Sequence, residues 1–188
     1  EGCTHCFMEV SSHAVVQNRI HGVQFSGGVF TNISHDHLDY HKTFDAYIKA
    51  KKKFFDDLPS DSFALVNIDD KNGSVMQQNT SARKYNFALK TPADFKAKII
   101  VNEISGLILN LDVMEFYSRL IGQFNAYNLL TVFATATLLG EDKLTILSAL
   151  SNLSSVDGRF QYVKGQKGPT AIVDYAHTPD ALENVLST

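Results

Sequence analysis

An apolar run, "GGVFTNI", an amphipathic stretch, "KTFDAYIKAKKKFFDDLP", and a second apolar run, "SFALVNIDDKNG", follow one another between Gly27 and Gly73. Strand, helix, strand is the unit from which helix-flanked sheets are built, and it constrains this chain more than any other feature. Farther on, "ARKYNFAL" and "AKIIVNEISGLILNLDVMEFYSRL" break into short β-rich runs punctuated by glycine, the mark of antiparallel strands. The expected class is therefore α/β: a mostly parallel sheet flanked by helices, with a small antiparallel appendage from about Ser81 to Leu120.

Local signals place the remaining elements. "HCFMEV" reads as a strand ending at Glu9, and Ser11 or Ser12 can cap a short helix that closes near Gly22. Thr43 is the expected N-cap of the next helix, with Asp45 in its first turn and Pro59 beyond its end. "GQFNAYNLLTVFATATLLG" is apolar on nearly every side and is expected to be a buried helix, with Gly140 after its end. A helix "EDKLTILSALSNL" then leads through a polar stretch near Ser154 to Gly158, the expected domain boundary. Beyond it come a hairpin, "RFQYVKGQKGPTAIVDYA", and a helix with Thr178 as N-cap and Pro179 at its first position.

Seventeen basic against twenty acidic residues give the 188-residue chain a net charge of −3, too small to indicate a nucleic-acid or membrane-surface partner. No apolar run approaches the roughly 18 residues of a membrane-spanning helix, and no signal peptide is recognisable, so a cytoplasmic location is expected. The first residue is not Met and the last stretch stops within a helical pattern, so the chain is expected to be a piece of a larger protein.

Three histidines and two aspartates crowd into "SHDHLDYH", Ser34 to His41. If Glu9 and this loop meet at one sheet edge, a carboxylate and an imidazole converge where open α/β sheets bind ligands, and a divalent cation would fit. The competing reading is three solvated loop histidines. "CTHC" suggests zinc or redox chemistry, but on a strand Cys3 and Cys6 would face opposite sides, which favours two structural thiols. Lys51 falls near the middle of the apolar stripe of Phe44, Tyr47, Ile48, Phe55 and Leu58, whereas Lys49, Lys52 and Lys53 are expected on a solvated face. It is either a functional lysine or a snorkelling one. Asn125 is either a helix cap or, with Asn128 one turn on, part of a surface that reads a planar ligand such as a purine.

"MEVSSHAVVQNRI", "TNISHDHLDYH", "YIKAKKKFF", "GQFNAYN", "GRF" and "DYAHTPDALENVL" occur in an order that resembles the Mur ligase family. "MEVSSHA" together with "DYAHTPDALE" is similar to the members that add the third amino acid to UDP-N-acetylmuramoyl-L-alanyl-D-glutamate in peptidoglycan synthesis. The resemblance implies a central ATP-binding domain over residues 1–155 and the start of a carboxyl-terminal domain over 156–188, with the phosphate-binding loop lying before Glu1. An isolated segment without that loop is expected to be inactive and to carry an unmodified Lys51.

The family's roles carry over residue by residue. Glu9 and His37 resemble Mg²⁺ ligands; Ser11, Gln17 and Arg19 resemble contacts to the muramoyl-peptide substrate. Lys51 matches a lysine that becomes an N-carboxylated carbamate and joins the metal site, and His37 and Lys51 are the expected catalytic pair. Asn125 and Asn128 look like adenine-side asparagines, Asp174 like the ribose acceptor and Arg159 like an arginine reaching the phosphates. The implied partners are ATP, Mg²⁺, the UDP-N-acetylmuramoyl-dipeptide and meso-2,6-diaminopimelate, with L-lysine as the alternative amine, and the implied full-length enzyme is monomeric. His35 and His41 receive no role from the match. A metal-dependent phosphohydrolase built on the His and Asp cluster would leave Lys51, the asparagine pair and "DYAHTP" unexplained, and a binding or scaffolding module without chemistry is what an isolated segment lacking the phosphate-binding loop is expected to be.

Overall fold

The computed structural model describes residues 2–34, 38–164 and 168–188. Its elements are α1 (Ser12–Val16), β1 (Gly27–Phe30), α2 (Leu38–His41), α3 (Phe44–Asp56), β2 (Phe63–Asn67), α4 (Gly73–Met76), β3 (Arg83–Ala88), β4 (Phe95–Glu103), β5 (Gly106–Leu111), β6 (Met114–Ser118), α5 (Gln123–Leu138), α6 (Lys143–Ser151), β7 (Gln161–Lys164), β8 (Thr170–Val173) and α7 (Pro179–Leu186). The main sheet is hydrogen-bonded in the order β1-β2-β3-β4-β5-β6, and β7 and β8 form a separate pair. β1 runs parallel to β2 and β3 to β4, whereas β4, β5 and β6 are antiparallel. The α/β class with its switch to hairpins is thus observed. The antiparallel part begins at Phe95 rather than near Ser81, because β3 pairs parallel to β4.

The chain divides into two compact units, one of residues 1–66 and 71–85, the other of residues 67–70 and 86–188. In the first, Thr43 caps α3 by accepting from Ala46 N at 3.2 Å, and Asp45 occupies the first turn, as the sequence indicates. Every residue of β2 is buried, and Phe63, Ala64, Leu65 and Val66 form a core with Phe30, Tyr47, Phe55 and Leu58. Each such large side chain contributes about 1.5–3 kcal/mol on burial. Close packing depends on glycine in β1: a Cβ on Gly28 would lie 2.8 Å from Phe54 Cε1 and 2.9 Å from Leu58 Cδ1.

The second unit is built on period-two burial in β5, where Leu107, Leu109 and Leu111 share one wholly buried face. Ala126, Leu129, Leu130, Phe133 and Ala134 of α5 are buried, as are Ile146, Leu147 and Leu150 of α6. Contrary to the all-round apolar reading of α5, this helix buries one face and leaves Val132 half exposed. Gly140, at φ +94°, stops the helix in the left-handed conformation. β7 and β8 pair as the expected hairpin, Thr178 caps α7, and Pro179 opens it.

Two expected elements differ. Residues 2–10 are irregular and exposed up to Glu9, so "HCFMEV" is not a strand. Its side chains alternate, but a strand needs a partner for its backbone N–H and C=O groups, and none of the strands formed by described residues pairs with it. Cys3 and Cys6 are accordingly two exposed free thiols, and the argument from strand alternation does not apply to them. The first helix also ends at Val16 rather than near Gly22, because Asn18 at φ +53° turns the chain out of it.

Candidate functional site

The first unit carries the residues expected around substrate and metal. Ser11 is extended, and its hydroxyl accepts from Ala14 N at 3.1 Å, so it is the N-cap of α1. Gln17 closes the same helix as its C-cap, and Arg19 N returns to Ala14 O at 2.9 Å in the turn that follows. Ser11, Gln17 and Arg19 thus stand on one short helix and its exit, with the Gln17 and Arg19 side chains exposed. Glu9 lies two residues before the cap as an exposed carboxylate, not at a strand end as expected. His35, Asp36 and His37 lie outside the described residues, so the expected meeting of Glu9 with His37 is not part of the geometry. Among the described residues no group of three or more His, Cys, Asp or Glu side chains is arranged to hold a metal.

Lys51 is half-buried on α3, with Nζ 5.3 Å from the centroid of the Tyr47 ring. The neighbouring lysines differ from expectation. Lys52, expected on the solvated face, is 9% exposed and pairs with Asp56 at 2.5 Å. Lys49 pairs with Asp45 at 2.7 Å and Lys53 with Asp57 at 2.6 Å. All three are i,i+4 helical pairs; Asp45 stands before its lysine, the favourable order, whereas Asp56 and Asp57 follow theirs. The three paired ammoniums therefore add little like charge at Lys51, and the face of Tyr47 attracts its cation.

The second unit carries the residues expected around the nucleotide. Asn125 is not a cap: Gly122 is the N-cap of α5, and Asn125 Nδ2 donates to Ile121 O at 2.8 Å. Asn128 Nδ2 donates to Asn125 Oδ1 at 3.3 Å, and Asn128 itself is exposed, with a carbonyl oxygen and a second N–H beyond this bond. Asp174 follows β8 and accepts from Phe160 N and Ala176 N, both at 2.7 Å. Arg159 is exposed, with its guanidinium 5.2 Å from the Tyr175 ring centroid. Phe160 joins these pieces. It is 5% exposed and packs edge-on to Phe124, one residue before Asn125, with ring centroids 5.5 Å apart. One buried aromatic contact thus brings the asparagine pair, Arg159 and Asp174 into one region.

Two arrangements escaped the sequence reading. Asp69, just after β2, accepts from Leu89 N at 2.7 Å, Lys90 N at 2.8 Å, Thr91 N at 2.9 Å and the Tyr127 hydroxyl at 2.8 Å. Partial burial works to raise its pKa, but the hydrogen bonds from Thr91, Lys90 and Tyr127 outweigh it and hold the carboxyl far below the usual range. Burial and then the Asp69 charge push the Tyr127 phenol far up. Tyr127 stands between Asn125 and Asn128, so this network anchors the start of α5. "NIDD" ending an apolar run was the available signal, although nothing in it names the loop at 89–91. The second arrangement joins His41 Nε2 to the buried Ser12 hydroxyl at 2.8 Å.

Comparison with known proteins covers both units. Residues 1–136 match the Mur ligase middle domain, and residues 158–188 match the Mur ligase glutamate ligase domain. A UDP-N-acetylmuramoyl-L-alanyl-D-glutamate–2,6-diaminopimelate ligase of Cytophaga hutchinsonii is 63% identical over 187 residues, covering 100% of this chain and 38% of its own length. A ligase of the same name from Clostridioides difficile is 40% identical over 195 residues, with 100% of this chain and 40% of that protein covered. This chain therefore spans less than half the length of the curated relatives it matches. Among solved structures, one of a ligase of that name superposes with a TM-score of 0.77 at 31% identity, covering 95% of this chain and 38% of the other. MurF from Acinetobacter baumannii, at 19% identity and a TM-score of 0.76 over 86% of this chain and 36% of its own, shares the fold. With a family domain matched over residues 1–136 and a second over 158–188, the chain belongs to the Mur ligase family.

Proposed function

We propose that this chain forms the ATP-binding middle part, and the opening of the glutamate ligase domain, of a MurE-type enzyme. That enzyme joins diaminopimelate to UDP-N-acetylmuramoyl-L-alanyl-D-glutamate with cleavage of ATP to ADP and phosphate, in the cytoplasm. The observation that carries the reading is identity along the whole chain to ligases of that name, 63% in one case. The geometry adds support. Asn128 offers an acceptor and a donor to a purine edge, and Asp174 has lone pairs left after two backbone bonds, enough to accept from ribose hydroxyls. Arg159 holds an exposed cation in the same region for phosphate oxygens.

An oxygen of the D-glutamyl side-chain carboxylate attacks the γ-phosphorus, and the bond from phosphorus to ADP breaks, giving an acyl phosphate. The amine of diaminopimelate then adds to the acyl carbon, loses a proton, and expels phosphate through a tetrahedral intermediate. Ser11, Gln17 and Arg19 hold the muramoyl peptide, and Arg159 offsets charge gathering on the phosphates. Glu9, an exposed hard oxygen donor, together with His37 and a carboxylated Lys51, suits Mg²⁺, which would neutralise phosphate charge when bound. The reading is tested in a full-length ligase carrying this segment, by following ADP release and the mass of the nucleotide product with diaminopimelate or L-lysine as the amine. ADP release that requires both dipeptide and diaminopimelate is expected. ADP release indifferent to the amine would overturn it.

A further inference from the structure

His41 lies among three helices of the first unit. Its Nε2 shares the 2.8 Å hydrogen bond with the hydroxyl of Ser12, a residue only 1% exposed, on α1. Its ring stacks on Tyr47 of α3, with centroids 5.3 Å apart and planes at 30°. Lys51 Nζ is 5.3 Å from the centroid of that same Tyr47 ring, one helical turn farther along α3. His13 of α1 and Tyr40 of α2 close the group, with His13 5.6 Å and Tyr40 4.9 Å from the His41 ring. A buried hydroxyl has to be hydrogen-bonded, and an imidazole that meets it while stacked on a second ring has both its direction and its plane set. An apolar residue here would fill the space and fix neither.

The two ends of this chain of contacts carry functional residues. Ser12 adjoins Ser11, whose own hydroxyl is committed to the cap, on the helix that also carries Gln17. Tyr47 lies against Lys51. We propose that His41 is a positioning residue, which through Ser12 sets the substrate helix α1 and through Tyr47 sets the Lys51 side chain, so that muramoyl peptide and lysine meet in one geometry. This rests on the ligase reading above. It assigns His41 no contact with substrate or nucleotide.

The two arms are separable in a full-length ligase carrying this segment, by measuring kcat, KM for the muramoyl dipeptide and thermal stability. Misplacement of a reacting group by about 1 Å costs up to about a hundredfold in rate, so an effect of about tenfold is expected from losing either contact. Ser12→Ala should raise KM with kcat nearly unchanged. Tyr47→Leu should lower kcat with KM nearly unchanged, and His41→Ala should do both. His41→Gln, which keeps a polar group for Ser12 but no ring for Tyr47, should recover KM and not kcat, and it carries the test should the alanine variant fail to fold. His41 variants that lose only thermal stability, or Ser12→Ala and Tyr47→Leu shifting the same constant, would overturn the positioning role alone. A parent enzyme that forms no ADP with dipeptide and diaminopimelate would overturn the ligase reading, and this proposal with it.

Discussion

Replacing Asp69 by Asn removes a charge and keeps the shape, and the structure says what that costs. Asp69 Oδ2 accepts from Leu89 N, Lys90 N and the Tyr127 hydroxyl, while Oδ1 accepts from Thr91 N. An asparagine must turn its NH₂ towards one of these groups. Facing Thr91 is cheaper, because one donor is then lost rather than three. The remaining bonds also lose their charged acceptor, and hydrogen bonds to charged groups contribute about 1.5–3 kcal/mol against about 1 for neutral ones. Allowing for the partial exposure of the site, Asp69→Asn should cost about 2–3 kcal/mol at neutral pH. In a protein of this size that is a fall in Tm of about 4–10 °C. Because the folded carboxyl titrates far below its ordinary value of 3.8, its stabilisation is fully present above that value and drains away as the pH falls beneath it. Thermal unfolding at pH 7 and at successively lower pH should therefore show the parent and Asp69→Asn converging in acid. Equal midpoints at pH 7, or a gap that persists unchanged through acid, would refute the reasoning.

Val113 follows Asp112 in the two-residue turn between β5 and β6, with φ +48° at Asp112 and +68° at Val113. A β-branched residue is strained there, so Val113→Gly should stabilise by about 1 kcal/mol, read as a raised urea midpoint at unchanged slope. Lys52→Met should change stability by less than about 1 kcal/mol, because the apolar stem is retained and a largely buried ion pair is a small net gain; Asp56→Ala should cost more, by stranding the Lys52 cation. Gly28→Ala would drive a methyl into Phe54 and Leu58 and should cost about 1–3 kcal/mol by chemical denaturation. Within the ligase reading, Lys51→Ala should lose most activity and regain part of it with added short carboxylates. In the same enzyme, His37→Ala should lower turnover more than affinity for the muramoyl substrate.

Signals that act within a few residues were legible in the sequence. Thr43 and Thr178 cap α3 and α7, Pro179 opens α7, and Gly140 stops α5, because each is decided by local φ and ψ and a single nearby hydrogen bond. The change from parallel to antiparallel strands was also readable, since a helix between two strands and a tight turn between two strands have different lengths. Of the candidate site, the position of Ser11 as N-cap of α1 follows from the same local rules, whereas the end of that helix at Gln17 does not. Asn125 does not: its amide is aimed at Ile121 O, and the cap falls to Gly122.

What the sequence could not decide depends on partners far along the chain. Alternation in "HCFMEV" is necessary for a strand, but the hydrogen bonds come from a neighbour, and periodicity is silent about whether one is there. A single helical stripe placed Lys52 in solvent, while packing buried its stem and left its charge to Asp56. Asp69 binds a loop twenty residues away, His41 finds a serine 29 residues back, and Phe160 meets Phe124 across the length of α5 and α6. Sequence determines which groups are able to form such bonds. Which of them meet is decided by the packing of helices and strands, because a hydrogen bond or ring contact acts over a few ångströms and the chain's order says nothing about distance at that scale.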